Sequence, residues 1–448
     1  LPGGLPPSSE KNTLLSPLSP SLRDADAIIA RLHGLYPKLI DLSLDRIIRL
    51  LHDLGDPHLH LPPVIHVAGT NGKGSTCAFL RAIAEAAGWP VHVTISPHLV
   101  SLRERYRIAG TLVTEDALTA ALAEIEQINA GAPITVFEAL VAAGYLLFSR
   151  TPAKLCVVEV GLGGRFDATN VIPAPAACAI TAISLDHQDF LGSDLGRIAW
   201  EKAGIMKPGR PVATGVQTPD VAAMLRDCAG ETGAILLERG RHWEIEAAEG
   251  GVRFRDSAGE LHLPRPGLAG THQLENSGIA IAALRASGLA VPAGAYSGIA
   301  QAIWPARLQP LHGRLRALLP AEAELYLDGG HNEGAALVLA DQLQRWSDRP
   351  LHLVVGMKQS KDAAAFLRPL LPYATTVFAV HEPGQHLALP IDSVIAASGG
   401  VARPGPDVAG ALRQIAHHPQ PVGRVLICGS LYLAGEVLKA DRGHSQAE

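Results

Sequence analysis

The sequence predicts an α/β protein: an N-terminal P-loop-type domain built on a mostly parallel sheet, followed by a smaller C-terminal Rossmann-like α/β domain. Three observations predict it. Short apolar runs alternate with helical stretches in both halves of the chain, the pattern of a sheet covered on both faces. One of those runs, at 64–68, passes through a glycine-rich turn straight into a helix, half of a βαβ unit. The strand-then-helix rhythm pauses around 305–314, where Pro, Gly and His gather, and then resumes. That pause divides the chain into an arm at 1–20, a central domain at 21–307 and a C-terminal domain at 308–448.

The elements follow in order. Residues 1–20 are rich in Pro, Ser and Gly and read as an arm. Residues 24–54 have helical spacing broken at Pro37. A strand at 64–68 leads to an alanine-rich helix at 75–88, then a strand at 91–95. Helices are expected at 117–129 and 137–149, and buried strands at 155–160 and 177–183. From 234 to 263 the pattern changes to short alternating runs around Gly250 and Gly251, which predicts antiparallel hairpin strands. A helix at 274–287 closes the first domain, and strands at 325–327, 351–355, 376–380 and 425–428 build the second.

Composition excludes several functions. The 448 residues are 47% hydrophobic and 18% charged, which suits large cores and not a disordered chain. Lys plus Arg number 38 against 43 Asp plus Glu, a net charge of −5, so nothing argues for a nucleic-acid partner. The most apolar stretches, 133–149 and 171–185, are interrupted by Glu138 and by Pro173 and Pro175, so no membrane span is expected. The N-terminal residues lack the charged-then-apolar pattern of a signal peptide. Five scattered cysteines without a CxxC pair read as free thiols in a reducing cytoplasm.

The strongest motif is His66-Val67-Ala68-Gly69-Thr70-Asn71-Gly72-Lys73-Gly74-Ser75. Glycines let backbone N–H groups converge on phosphate, the helix N-terminus adds partial positive charge, and Lys73 adds a full one. A hydroxyl after the lysine reaches Mg²⁺. The general pattern would place Gly at Val67 and Ser or Thr at Gly74; here the hydroxyl is displaced to Ser75. At the end of the next buried strand, Glu159 precedes Gly161, Gly163 and Gly164, and a carboxylate there suits Mg²⁺ or is simply a paired strand-end acid. His187, after the strand at 177–183, is a second candidate ligand or a packed histidine.

The string GTNGKGS resembles the nucleotide loop of folylpolyglutamate synthases and dihydrofolate synthases, members of the Mur ligase superfamily. Lys-Gly-Ser is the form of the folate branch. The resemblance runs from about Asp41 to the last strand and rests on separated motifs. It implies ATP contacts at Thr70, Asn71, Gly72, Lys73, Gly74 and Ser75, at Asn276 in GTHQLEN, at Arg307 in WPARLQ, and at Asp328 and His331 in LDGGHN. It implies metal ligation by Ser75, Ser96, Glu159, His187 in SLDHQDFLG, and Lys202 in WEKAGI, the last as a carbamate. It implies a pterin site at Leu42, Ser43 and Leu44, at Thr135, Val136, Phe137 and Glu138, and at Phe166, Asp167 and Ala168.

Taken together, these motifs are similar to those of a bifunctional bacterial ligase of that family, with Lys73, Lys202 and His187 as catalytic residues. Its implied reaction joins L-glutamate to dihydropteroate or to tetrahydrofolate polyglutamates through an acyl phosphate. ATP and two Mg²⁺ are the expected cofactors, K⁺ is left open, and a cytoplasmic monomer is expected. The alternatives are a Mur-like ligase acting on a UDP-linked peptide and a P-loop ATPase or kinase.

Overall fold

The computed structural model describes residues 25–36, 41 and 43–442. The arm at 1–20, Pro37 and Leu42 lie outside the described residues.

Among the described residues the first sheet has eight strands: β1 (Val64–Ala68), β2 (Val91–Thr94), β3 (Tyr106–Ile108), β4 (Thr111–Leu112), β5 (Leu155–Glu159), β6 (Ala177–Ile180), β7 (Pro211–Thr214) and β8 (Ile235–Glu238). Their spatial order is β4-β3-β2-β5-β1-β6-β7-β8. The six strands from β2 to β8 pair in parallel, while β3 and β4 add an antiparallel edge. β1 is central, flanked by β5 and β6, and all five of its residues are buried. Helices Lys73–Ala86 and His272–Ala286 share a core with one face of this sheet. Helices Glu115–Asn129 and Val136–Ser149 share a second core with the other. With both faces covered, polar groups of the central strands meet solvent only at the strand ends, which is where open α/β sheets bind ligands.

The elements read from sequence recur within a few residues, with two differences. The segment at 234–263 is not all hairpin. β8 joins the parallel sheet beside β7, because helix Pro219–Thr232 carries the chain back across the sheet between them. Only β9 (Trp243–Ala248), β10 (Gly251–Asp256) and β11 (Gly259–Leu263) form the antiparallel sheet. The β3–β4 edge hairpin carried too few apolar residues to read as strands. Its two-residue turn, Ala109-Gly110, has positive φ at both positions (50° and 95°), the twist that hairpins favour.

The last sheet has the order β12-β13-β17-β14-β15-β16. Its strands are β12 (Gln309–Pro310), β13 (Glu324–Leu327), β14 (Leu351–Val355), β15 (Thr376–Ala379), β16 (Arg403–Pro404) and β17 (Arg424–Cys428). All pair in parallel except β12, which runs antiparallel to β13. The five cysteines are free and buried, as the sequence suggested. No described helix is long and apolar enough to cross a membrane.

Candidate active site

The glycine-rich loop leaves β1 at the centre of the first sheet and enters helix Lys73–Ala86. Its shape is fixed by backbone bonds: the amides of Thr70 and Asn71 both donate to the Ala182 carbonyl (2.9 and 3.2 Å). The Thr70 hydroxyl donates to the Ser184 carbonyl at 3.0 Å. Gly69 and Gly72 sit at φ 145° and 92°, which disfavours any other residue. Lys73 folds back so that its Nζ donates to the carbonyls of Gly69 (3.2 Å) and Thr70 (3.3 Å). The departure at Gly74 has a steric cause, since a Cβ there would run into the Trp304 indole. The hydroxyl is therefore carried by the next residue, Ser75, whose Oγ is buried without a hydrogen-bond partner.

Charged groups are buried around this loop. Glu159 ends β5, paired in register with Val67, and accepts one long hydrogen bond from the Ser96 amide (3.4 Å). Burial pushes its carboxyl up to about 7, against the pull of Lys73. Lys202, on helix Leu195–Ala203, is only 5% exposed and donates to the Gly69 carbonyl at 2.9 Å. Burial, aided by the Lys73 charge, pushes its amine down to about 7. His187 follows Asp186 with a left-handed backbone (φ 52°) and an exposed side chain.

Among the described residues no three His, Cys, Asp or Glu side chains are grouped to hold a metal. The donors that fit a hard cation are of another kind. The unpartnered Ser75 hydroxyl and the under-bonded Glu159 carboxylate face one cavity, which Ser96, His187 and Lys202 also line. These oxygens suit Mg²⁺. Lys202 as an ammonium does not ligate a cation, and enters such a site only after losing its charge.

The pterin-type residues divide by role. Thr135 caps helix Val136–Ser149, and Glu138 completes the capping box: the Glu138 amide donates to Thr135 Oγ1 (3.1 Å) and the Thr135 amide to Glu138 Oε2 (2.8 Å). Arg46 also donates to Glu138 Oε2 (3.0 Å) and holds Asp41. Asp167 accepts from the Leu162 and Thr169 amides (2.8 and 3.0 Å) and so ties down the glycine loop after β5. Glu138 and Asp167 line the cavity and also serve the scaffold, with Glu138 Oε1 held only by its ion pair to Arg46. Phe137 packs where a Cβ on Gly161 would sit, and Phe166 is exposed at the cavity wall, so two flat rings border it. Ala168 and Val136 pack with the neighbouring core. Ser43 and Leu44 precede helix Asp45–Asp53, with Ser43 Oγ 3.3 Å from Asp45 Oδ2.

The second domain reaches into the same cavity, whose volume is about 710 Å³. Arg307 lines it, its Nη1 donating to the Ala306 carbonyl at 2.7 Å. Asp328 is buried and accepts from the amides of Leu308 (2.9 Å) and Gly330 (2.7 Å), so its carboxylate braces the connection between domains. His331 turns Nδ1 toward the Gly329 carbonyl (2.8 Å) and lies 3.5 Å from Asp186 through Nε2. Asn276 supports the phosphate loop from below: it occupies the space a Cβ on Gly72 would need and donates to Gln273 at 3.0 Å.

Two residues escaped sequence reasoning. Asn332 exchanges amide hydrogen bonds with Asn71 of the phosphate loop (3.0 and 3.1 Å) and donates to Asp186 at 2.9 Å. Lys361 forms an ion pair with Asp186. Burial alone would raise the Asp186 carboxyl, but His331 and Lys361 hold it far below the usual range. Asn332 stood inside a quoted motif and was passed over; Lys361 had no local signal.

Residues 67–284 match the Mur ligase middle domain family. The dihydrofolate synthase/folylpolyglutamate synthase of Escherichia coli K12 is 39% identical over 344 residues, 76% of this chain and 77% of that protein. The solved structure of Escherichia coli FolC in complex with DHPP and ADP superposes with a TM-score of 0.84 at 34% identity, covering 94% of this chain and 99% of that one. The bifunctional folylpolyglutamate synthase/dihydrofolate synthase of Yersinia pestis, complexed with AMPPNP and Mn ion, gives 0.83 at 32% identity, covering 93% and 98%. The fold that presents this phosphate loop and buried carboxylate is thus shared with these relatives over most of both chains, and the chain belongs to the dihydrofolate synthase/folylpolyglutamate synthase family of ATP-dependent ligases.

Proposed function

We propose that the protein is the bifunctional ligase of this family, adding L-glutamate to dihydropteroate and to the γ-carboxylate of tetrahydrofolate polyglutamates. One observation carries the reading: the phosphate loop with Lys73, the unpartnered Ser75 hydroxyl and the ring-lined wall of Phe137 and Phe166 open into one cavity. The relatives with bound ADP, AMPPNP, Mn and DHPP support it.

ATP phosphates lie on the amides of the loop, with Lys73 and Arg307 offsetting charge on the transferring group. A substrate carboxylate oxygen bonds to the γ-phosphorus as the bond to ADP breaks. The glutamate amine then bonds to the acyl carbon and loses a proton as phosphate leaves. Asn332 and Lys361 tie the second domain to Asp186 beside the cavity, and further closure over bound substrate would exclude the water that would hydrolyse an acyl phosphate. Ser75, Glu159 and Ser96 would hold a first Mg²⁺, and His187 with Lys202 a second; bound there, the ions would offset phosphate charge.

Lys202 takes part as a carbamate. Its depressed pKa leaves much of the amine neutral near pH 7, the form that adds CO₂. The resulting anion replaces a buried cation beside the metal site. Five buried thiols suit the cytoplasm.

The test is an ADP-release assay with dihydropteroate or tetrahydrofolate, with and without glutamate. Release that needs both the pterin and glutamate is expected. Equal ATP hydrolysis in their absence would refute the reading.

A further inference from the structure

One wall of the cavity is basic for a reason the ligase reaction does not by itself require. Tyr106 on β3 is buried and donates to the Leu140 carbonyl on helix Val136–Ser149 (2.7 Å). Side chains alternate along a strand, so Arg107 faces the other way, toward helix Lys73–Ala86 and its Arg81, while Arg105 ends the 3-10 turn Leu102–Arg105 that leads into β3. The register agrees: Arg107 pairs with Val93, which packs in the same core as that helix. Arg81, Arg105 and Arg107 all line the cavity.

These guanidiniums are poorly neutralised. Among the described residues Arg105 donates to an imidazole, His98 Nδ1 at 3.1 Å, and Arg107 to a backbone carbonyl, that of Gly110 at 3.3 Å. Arg81 has a loose ion pair with Glu85 (3.5 Å), and its buried Nε makes no hydrogen bond. The nearby Glu104 carboxylate is spent on the amides of Leu99 and Val100 (2.8 and 3.2 Å). Burial and the charge of Arg81 together push Arg107 below its ordinary pKa, with Glu85 and Glu104 offsetting them only in part. The Arg105 charge bears on Glu159, and Ile95 and Leu112 line the same cavity as the three arginines.

Several guanidiniums lining one cavity together with apolar side chains suit a ligand that repeats carboxylates on aliphatic spacers. We propose that Arg81, Arg105 and Arg107 bind the carboxylates of the γ-glutamyl chain already attached to the folate, and so set how well long-chain substrates are used. This rests on the ligase reading above and adds to it a location for the chain.

The test uses the full-length protein with Arg81→Gln and Arg107→Gln combined, and with Arg81→Lys and Arg107→Lys as charge-retaining controls checked for the same melting temperature. KM is measured for dihydropteroate and for mono- and triglutamyl tetrahydrofolate. The ratio of the triglutamyl to the dihydropteroate KM should rise about a hundredfold in the Gln variant, the loss of two charge-assisted contacts at roughly tenfold each, and less in the Lys variant. An unaltered ratio overturns the proposal. So does a rise in the KM for free glutamate with every pterin, which would place the incoming amino acid there instead. A parent protein that releases ADP without glutamate refutes the ligase reading itself, and is told apart by that assay.

Discussion

The two halves of the cavity treat their buried polar groups in opposite ways. On the first sheet, at the ends of β1 and β5, Ser75 has no partner, Glu159 has one long hydrogen bond, and Lys202 is an amine buried beside another cation. On the second domain, Asp328 and Asn332 are equally buried, yet each makes short hydrogen bonds with every oxygen it presents. An unpaired buried polar group costs about 1–3 kcal/mol, so a fold that leaves Ser75 unpaired beside an under-bonded carboxylate and a buried amine is holding them for something that binds there. The first half is therefore poised for ligand, and the second is braced to position it.

That contrast can be broken most severely at the lysines. Lys73→Ala and Lys202→Ala should each reduce turnover by roughly 10³-fold, the scale for losing a preorganised charge at a transferring group. They should differ in rescue. Added short carboxylates should restore part of the Lys202→Ala activity by replacing the carbamate, and none of the Lys73→Ala activity. Lys202→Arg, which keeps bulk and charge in the site, should resist rescue. Near-normal steady-state rates in a folded Lys73→Ala protein would reduce the loop to a turn.

A smaller effect is expected on the braced side. Asp328→Ala strands the amides of Leu308 and Gly330 and should cost about 2 kcal/mol of stability, read by denaturant unfolding. Asp328→Asn, which keeps one acceptor, should cost less. A stability equal to the parent's would show that the carboxylate braces nothing.

Much of this was legible in the sequence, for definite reasons. The phosphate loop and strand ends carry their chemistry in local strings, and β1 and β14 keep the bounds that their apolar runs predict. Glu138 and Asp167 were read as substrate contacts; both line the cavity, and a motif does not show that their oxygens also hold a helix cap and a loop. Asn276 was read as a nucleotide contact, and the structure adds that it packs against Gly72 of the loop. Lys361 and the arginine wall could not be found by spacing, because they meet the site only after the chain has folded across a sheet or between domains. Ala306 adopts φ 53° just before Arg307, a backbone state that no side-chain pattern announces.

The most direct measurement of the central claim is thermal unfolding of Glu159→Gln against pH, with and without Mg²⁺–nucleotide. Burial holds the folded Glu159 carboxyl near 7, above its unfolded value, so the folded state binds that proton more tightly. Its contribution is present below the unfolded pKa and is lost as pH rises through about 7. Without metal, Glu159→Gln should therefore melt higher than the parent at pH 8, with the gain vanishing toward pH 5. The same variant should lose most of the stabilisation that Mg²⁺–nucleotide gives the parent. A variant that melts lower at pH 8 and keeps the full Mg²⁺–nucleotide shift would contradict the account, showing Glu159 to be an ordinary structural carboxylate.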